Sequence, residues 1–123
     1  MRRASIAGPA VALVSAGAVL AAQPRLFGGY VYRSHRCVVI VKSWKRGQLL
    51  FDISGYYNNL NPRPVPIRKD GSFSYTGPAR NGYGRRATIH LRGRFVSRDE
   101  ARGTWRAPCG SGRFDARYDK YIT

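Results

Sequence analysis

The chain has 123 residues, with 22 Lys and Arg against 6 Asp and Glu, a formal charge of +16. That length holds one domain and excludes a Rossmann unit, a TIM barrel or a two-lobed enzyme. A hydrophobic content of 43%, with 12% aromatics, excludes a wholly disordered basic tail.

Met1–Ala22 opens with Arg2 and Arg3, continues through the uncharged apolar stretch Ile6–Leu20 and closes on small residues. This is the layout of a signal peptide. The apolar stretch is shorter than the ~20 residues that cross a bilayer, and Gly8-Pro9 interrupts it. The expectation is a signal peptide over residues 1–21 and a single β-domain over 22–123, with an uncleaved anchor as the alternative. No cysteine follows the cleavage region, which argues against a lipid anchor. Loss of Arg2 and Arg3 with the signal lowers the charge to +14. The mature chain is expected to be secreted or extracytoplasmic, held in the cell envelope or beyond it, with no transmembrane segment.

Cys37 and Cys109 are the only cysteines. In an oxidising compartment two cysteines default to one disulfide. With His35 and His90 they also make up a Cys₂His₂ set, but no C-x-x-C or H-x-x-x-H spacing occurs, so a metal site is the weaker reading. No metal and no cofactor are expected.

In the mature part the pattern has period two, punctuated by Gly, Pro and Asn. Gly28–Tyr32 begins it, and Arg36–Trp44, rich in β-branched residues, reads as a central strand. Lys45-Arg46-Gly47 turns the chain into Gln48–Gly55, where Leu49, Phe51 and Ile53 alternate with Leu50, Asp52 and Ser54. Tyr57–Pro66 is the longest irregular stretch, and its tip is expected to be exposed. Val65–Arg68 and Ser72–Thr76 flank Lys69-Asp70-Gly71, a hairpin signal. Gly77–Gly84 follows as a loop with an Asn-Gly turn. Three regular strands end the chain. Ala87, Ile89, Leu91, Gly93 and Phe95 share one face of the first. Ala101, Gly103, Trp105 and Ala107 share a face of the second, and Phe114, Ala116 and Tyr118 a face of the third. Nothing sustains a helical period. The expected fold is all-β, an antiparallel β-sandwich or small barrel of about seven strands.

Alternation that buries one face exposes the other. Opposite the apolar positions stand Arg92, Arg94, Arg102, Arg106, Arg113 and Arg117, with Asp115 as the single carboxylate among them. Six guanidinium groups on one sheet face favour anionic partners: a wall polymer, an acidic polysaccharide, the anionic lipid headgroups of an envelope surface, or nucleic acid bound without sequence preference. The bland alternative is a GC-rich codon bias that writes Arg onto an ordinary solvated face.

Catalytic motifs are absent: no G-x-S-x-G, no H-E-x-x-H and no Gly-rich phosphate loop before a helix. The best reading is therefore non-catalytic, with no catalytic residues assigned. The alternative from another class is a small secreted hydrolase of ribonuclease type using His90, which sits on the arginine face, with His35 as second histidine. A third is an inhibitor or envelope-interaction protein docking through Tyr57–Pro66, where Tyr56-Tyr57-Asn58-Asn59 suits stacking on a sugar or base.

The last third carries Leu91-Arg92-Gly93-Arg94-Phe95-Val96-Ser97, Ala101-Arg102-Gly103-Thr104, Cys109-Gly110-Ser111-Gly112 and Phe114-Asp115-Ala116-Arg117, preceded by Asp70-Gly71-Ser72-Phe73-Ser74. This run resembles small secreted actinobacterial β-rich proteins, whose pattern reads G-R-F-x-S, A-x-G-T, C-x-S-G, W-x-A. Two departures stand out. Phe114 replaces the usual Trp, and the partner cysteine in that group tends to lie near the place of Tyr56 and Tyr57 rather than at Cys37. The resemblance implies an exported all-β domain and brings no catalytic residues. Within it, Gly93 is expected to lie under Trp105, and Gly110 and Gly112 to need positive φ around Ser111.

Overall fold

The computed structural model describes residues 24–55, 58–80 and 86–122. The expected signal peptide 1–21, the Tyr56-Tyr57 pair and the turn expected at Asn81-Gly82 lie outside the described residues. Eight strands follow one another in the chain: β1 (Gly29–Arg33), β2 (Val38–Lys45), β3 (Gln48–Ser54), β4 (Val65–Pro66), β5 (Ser72–Pro78), β6 (Thr88–Ser97), β7 (Glu100–Ala107) and β8 (Gly110–Asp119). The count is one above the seven or so expected, because the short β4 comes from the proline-rich stretch.

All pairings are antiparallel, and the spatial order is β4-β3-β2-β1-β8-β7-β6-β5. The first and last strands are neighbours, so the sheet is an up-and-down meander that curls until β4 meets β5. Of the two expected architectures it is the barrel, nearly closed. Period-two alternation explains why: each strand sends one set of apolar side chains inward, and a closed wall buries all of them without edges.

The inward set matches the alternation of the sequence. Val39, Val41, Leu49, Phe51, Ile53, Ile89, Leu91, Phe95, Phe114 and Ala116 are all buried. Aromatic rings run across the lumen, with Tyr30–Phe95 at 5.0 Å, Phe95–Phe73 at 5.3 Å and Phe73–Phe51 at 6.0 Å between centroids. The lumen is thus a packed core rather than a ligand chamber.

Two places needed special residues. Gly93 and Gly103 face each other between β6 and β7. A Cβ on Gly103 would overlap the Arg92 carbonyl oxygen, and one on Gly93 would meet Phe73 Cζ at 2.8 Å and Phe114 Cζ at 2.9 Å. The rings over Gly93 are therefore Phe73 and Phe114. Trp105, expected there, lies instead against Gly110 and Gly112, because its register partners are Leu91 and Gly112. Gly110 has positive φ (154°), whereas Gly112 does not.

The second place is the seam. β4 pairs with β3 only at Gln48–Pro66 and Leu49–Val65. Beyond it, the irregular stretch is anchored inward at Asn59 and Asn61, and its tip is exposed as expected. Leu60 exchanges backbone hydrogen bonds with Arg80 (2.9 and 2.6 Å), and the Ile53 N–H donates to the Asn59 carbonyl (3.0 Å). Asn59 and Asn61 are buried, not exposed as amide contacts for a sugar. The Asn61 side chain accepts from the Phe51 N–H at 2.7 Å and donates to the Arg63 carbonyl at 2.6 Å. Asparagine amides thus replace strand backbone where β4 runs out. The proline tip, Pro62–Pro64, stays exposed, as do Asn58, Leu60 and Pro66.

Cys37 and Cys109 are bonded, with Cα atoms 6.0 Å apart. The bridge ties the β1–β2 connection to the β7–β8 turn, both at one end of the barrel. Among the described residues no helix is long and apolar enough to cross a membrane, and no cluster of three or more His, Cys, Asp or Glu forms a metal site.

Candidate functional site

Strand parity places Arg92, Arg94, Arg102, Arg106, Arg113 and Arg117 on the outer wall of β6–β8, all exposed. Antiparallel register sorts them into rows across the barrel. From the disulfide end, the first row is Thr76–His90–Arg106–Ser111 and the second Ser74–Arg92–Thr104–Arg113. The third is Ser72–Arg94–Arg102–Asp115, and Glu100–Arg117 stands beyond it.

The wall is not electrostatically uniform. Asp115 is not its single carboxylate: Glu100, half-buried at the start of β7, and Asp70 from the β4–β5 turn join it. Arg102 reaches Glu100 at 2.7 Å and Asp115 at 3.7 Å, and Arg117 reaches both at 3.4 Å. Arg94 pairs with Asp70 at 3.2 Å. Glu100 supports the Arg102 guanidinium and holds its pKa up, with Asp115 adding less. The Ser72 hydroxyl and N–H, more than Arg94, hold the Asp70 carboxyl below the usual carboxylate range.

The other three behave differently. Among the described residues, Arg92, Arg106 and Arg113 have no carboxylate at ion-pairing distance. Their neighbours in the rows are Ser74, Thr76, Thr104, Ser111 and His90. This half of the wall offers cations and hydroxyls with nothing acidic among them. At strand spacings of about 4.8 Å, Arg92 and Arg113 are anchored about 10 Å apart across β7, a span that fits successive charges on a polymer better than one small anion.

The histidines do not come together. His90 Nδ1 lies 3.2 Å from the Thr76 hydroxyl, while His35 lines a shallow cleft beside the disulfide that His90 does not line.

A second basic surface escaped the sequence reading. In a meander, alternate turns fall at the same end, so Lys45-Arg46, Arg68-Lys69 and Arg98 converge there with the segment leading into β1. Together they frame a cleft of about 870 Å³ lined also by Leu26, Phe27, Ile67 and Tyr118. Arg25 straps the segment across this mouth. Its Nε donates to Asp99 at 2.7 Å, its backbone N–H donates to the Tyr30 hydroxyl at 3.0 Å, and its guanidinium stacks 5.0 Å above the Tyr118 ring. The Tyr30 hydroxyl in turn donates to the Arg98 carbonyl at 2.5 Å. Arg25 holds the Asp99 carboxyl below its ordinary range, and burial raises the Tyr30 phenol. The signal for this site was present in the sequence as the basic pairs Lys45-Arg46 and Arg68-Lys69 and the single Arg98 at alternate turns, but only strand order brings those turns together.

An eight-stranded meander barrel with a filled lumen and a basic exterior is the class of protein this geometry defines. No family model, no curated protein and no solved structure matches the chain.

Proposed function

We propose that this protein is an extracytoplasmic, non-catalytic cationic barrel that binds linear polyanions, phosphate- or sulfate-bearing, along the outer wall of β6–β8. The observation that carries the reading is the split of the arginine face. Arg94, Arg102 and Arg117 share the carboxylates Asp70, Glu100 and Asp115, while Arg92, Arg106 and Arg113 have none, an arrangement that keeps their field for an external anion. Codon bias accounts for the number of arginines but not for this segregation. The Cys37–Cys109 bridge supports an oxidising location.

The test is a salt titration with fluorescein-labelled heparin and with a labelled single-stranded oligonucleotide. Three phosphate contacts on a single strand give a slope of log K against log salt of about −2. Replacing Arg92, Arg106 and Arg113 by Gln should reduce the slope magnitude by about 2, whereas replacing Arg94, Arg102 and Arg117 should change it by less than 1. Equal losses from both triples would refute the assignment to this half of the wall.

A further inference from the structure

The filled lumen and the basic wall leave the mouth unexplained. There, Phe27 is 82% exposed and Leu26 50%, yet the segment that carries them is not loose. Arg25 fixes it through Asp99, the Tyr30 hydroxyl and the Tyr118 ring. A side chain as large as Phe is thus held out into solvent by a built strap. Around it the cleft is lined by six cations and by no carboxylate. Arg25 is paired to Asp99, and Arg68 donates to Ser72 and Ser74 at 3.3 and 2.6 Å. Lys45, Arg46, Lys69 and Arg98 remain on the tips of three turns that end at the same level.

The chemistry of this end selects its occupant. A polyanion without bases has no use for Phe27 and Leu26, a single-stranded nucleic acid stacks on Phe27 but leaves Leu26 unused, and a neutral apolar partner has no use for six cations set against Asp99 and Asp70 alone. A surface that is anionic in its outer layer and apolar just beneath uses both. We infer that the mouth is a peripheral docking face for an anionic phospholipid bilayer, with Phe27 and Leu26 entering the interface and Lys45, Arg46, Lys69 and Arg98 resting on headgroup phosphates. Docking by this end stands the barrel upright, so the arginine wall projects away from the lipid. The inference is independent of the polyanion reading, since the two use different residues.

Co-sedimentation of the full chain with vesicles tests it. The readout is the ratio of binding to vesicles of 3:7 phosphatidylglycerol and phosphatidylcholine over binding to pure phosphatidylcholine. Every variant is compared with the parent in the same full-length background, so the contribution of Met1–Ala22, with its Arg2 and Arg3, is common to all of them. Each cation near an anionic surface is worth about a five-fold change in partitioning. Replacing Lys45, Arg46, Lys69 and Arg98 together by Gln should therefore collapse the ratio by two orders of magnitude or more. Phe27→Ser should lower binding to the anionic vesicles about tenfold, and Phe27→Leu should restore most of it. The Arg92, Arg106 and Arg113 triple variant should leave the ratio unchanged while losing heparin. All these positions are exposed, on the turns, the strap or the outer wall, and an unchanged urea midpoint for each variant separates lost docking from lost folding. A ratio that survives the mouth substitutions, or one abolished by the wall substitutions, overturns the inference. So does full competition by millimolar glycerol phosphate, which would make the occupant a free small anion.

Discussion

Asn61 carries the most consequential polar side chain in the fold, and its removal is the sharpest test of how the barrel closes. The residue is 4% exposed, and its amide takes the place of backbone that β4 is too short to supply. In Asn61→Ala the Phe51 N–H, which donates to Asn61 Oδ1 at 2.7 Å, loses its acceptor in a place water does not reach. A buried orphan of that kind costs about 1–3 kcal/mol. The 2.6 Å bond to the Arg63 carbonyl adds about 1 kcal/mol, while the bond to Leu49 is long, at 3.5 Å, and adds little. The sum is roughly 3 kcal/mol, a large fraction of the ~5–15 kcal/mol that holds a domain together. With an m-value of about 1.5 kcal/mol/M, the urea midpoint should fall by about 2 M. Asn61→Asp sharpens the test. Its carboxylate still accepts from Phe51 but faces the carbonyls of Arg63 and Leu49, which raises its folded pKa above the unfolded value. Its deficit should be largest at neutral pH and shrink as pH falls and the acid becomes a donor. An Asn61→Ala protein within 0.5 kcal/mol of the parent would refute the seam argument.

Other outcomes follow from the same geometry. Reducing the Cys37–Cys109 bond, which spans a sequence separation of 72, should destabilise the barrel by about 4 kcal/mol on the chain-entropy model, read from urea midpoints with and without reductant. Gly103→Ala should lower the thermal midpoint by more than 15 °C or abolish folding, because its Cβ would meet only fixed backbone of Arg92 and Gly93. Gly47→Ala, with positive φ but open space around it, should cost only about 1 kcal/mol. Burial raises the Asp52 carboxyl, against the Asn59 N–H and Lys42, which pull it down. A raised folded pKa means stability is lost as pH climbs through it, so Asp52→Asn should gain stability at neutral pH and show a steeper acid limb in pH-dependent unfolding, because the offsetting gain on protonating Asp52 is gone.

Period-two alternation made most of the wall legible in advance. Leu49, Phe51 and Ile53 in β3, or Ile89, Leu91 and Phe95 in β6, announce their inner face without any partner. The arginines follow by the same parity, since what faces away from Phe95 faces solvent. What alternation does not contain is neighbourhood. Glu100 lies at a turn in the sequence, and only the register opposite Arg117 reveals that it pairs with Arg102 and Arg117 of the arginine face. Asn59 and Asn61 look like loop residues by type, and nothing local says that their amides stand in for a missing strand. Trp105 was assigned to the wrong glycine because strand offset, not composition, decides which ring covers which gap. The mouth needed strand order before its three basic turns became one surface.

The adjacency of β1 and β8, where Gly29 pairs with Asp119, also governs when the thiols can react. Six of the seven paired seams join strands that are consecutive in the chain and can zip as each hairpin appears. The remaining one waits for the final residues, a long-range closure of the kind that slows folding. Cys37 is made early and Cys109 late, and the chain has no third cysteine. Any disulfide that Cys37 forms before Cys109 is available must therefore join it to another molecule. Fidelity of the native bond thus depends on the oxidant arriving after the β7–β8 turn has been brought to the β1–β2 connection, and the interval before that closure is the window in which covalent dimers form.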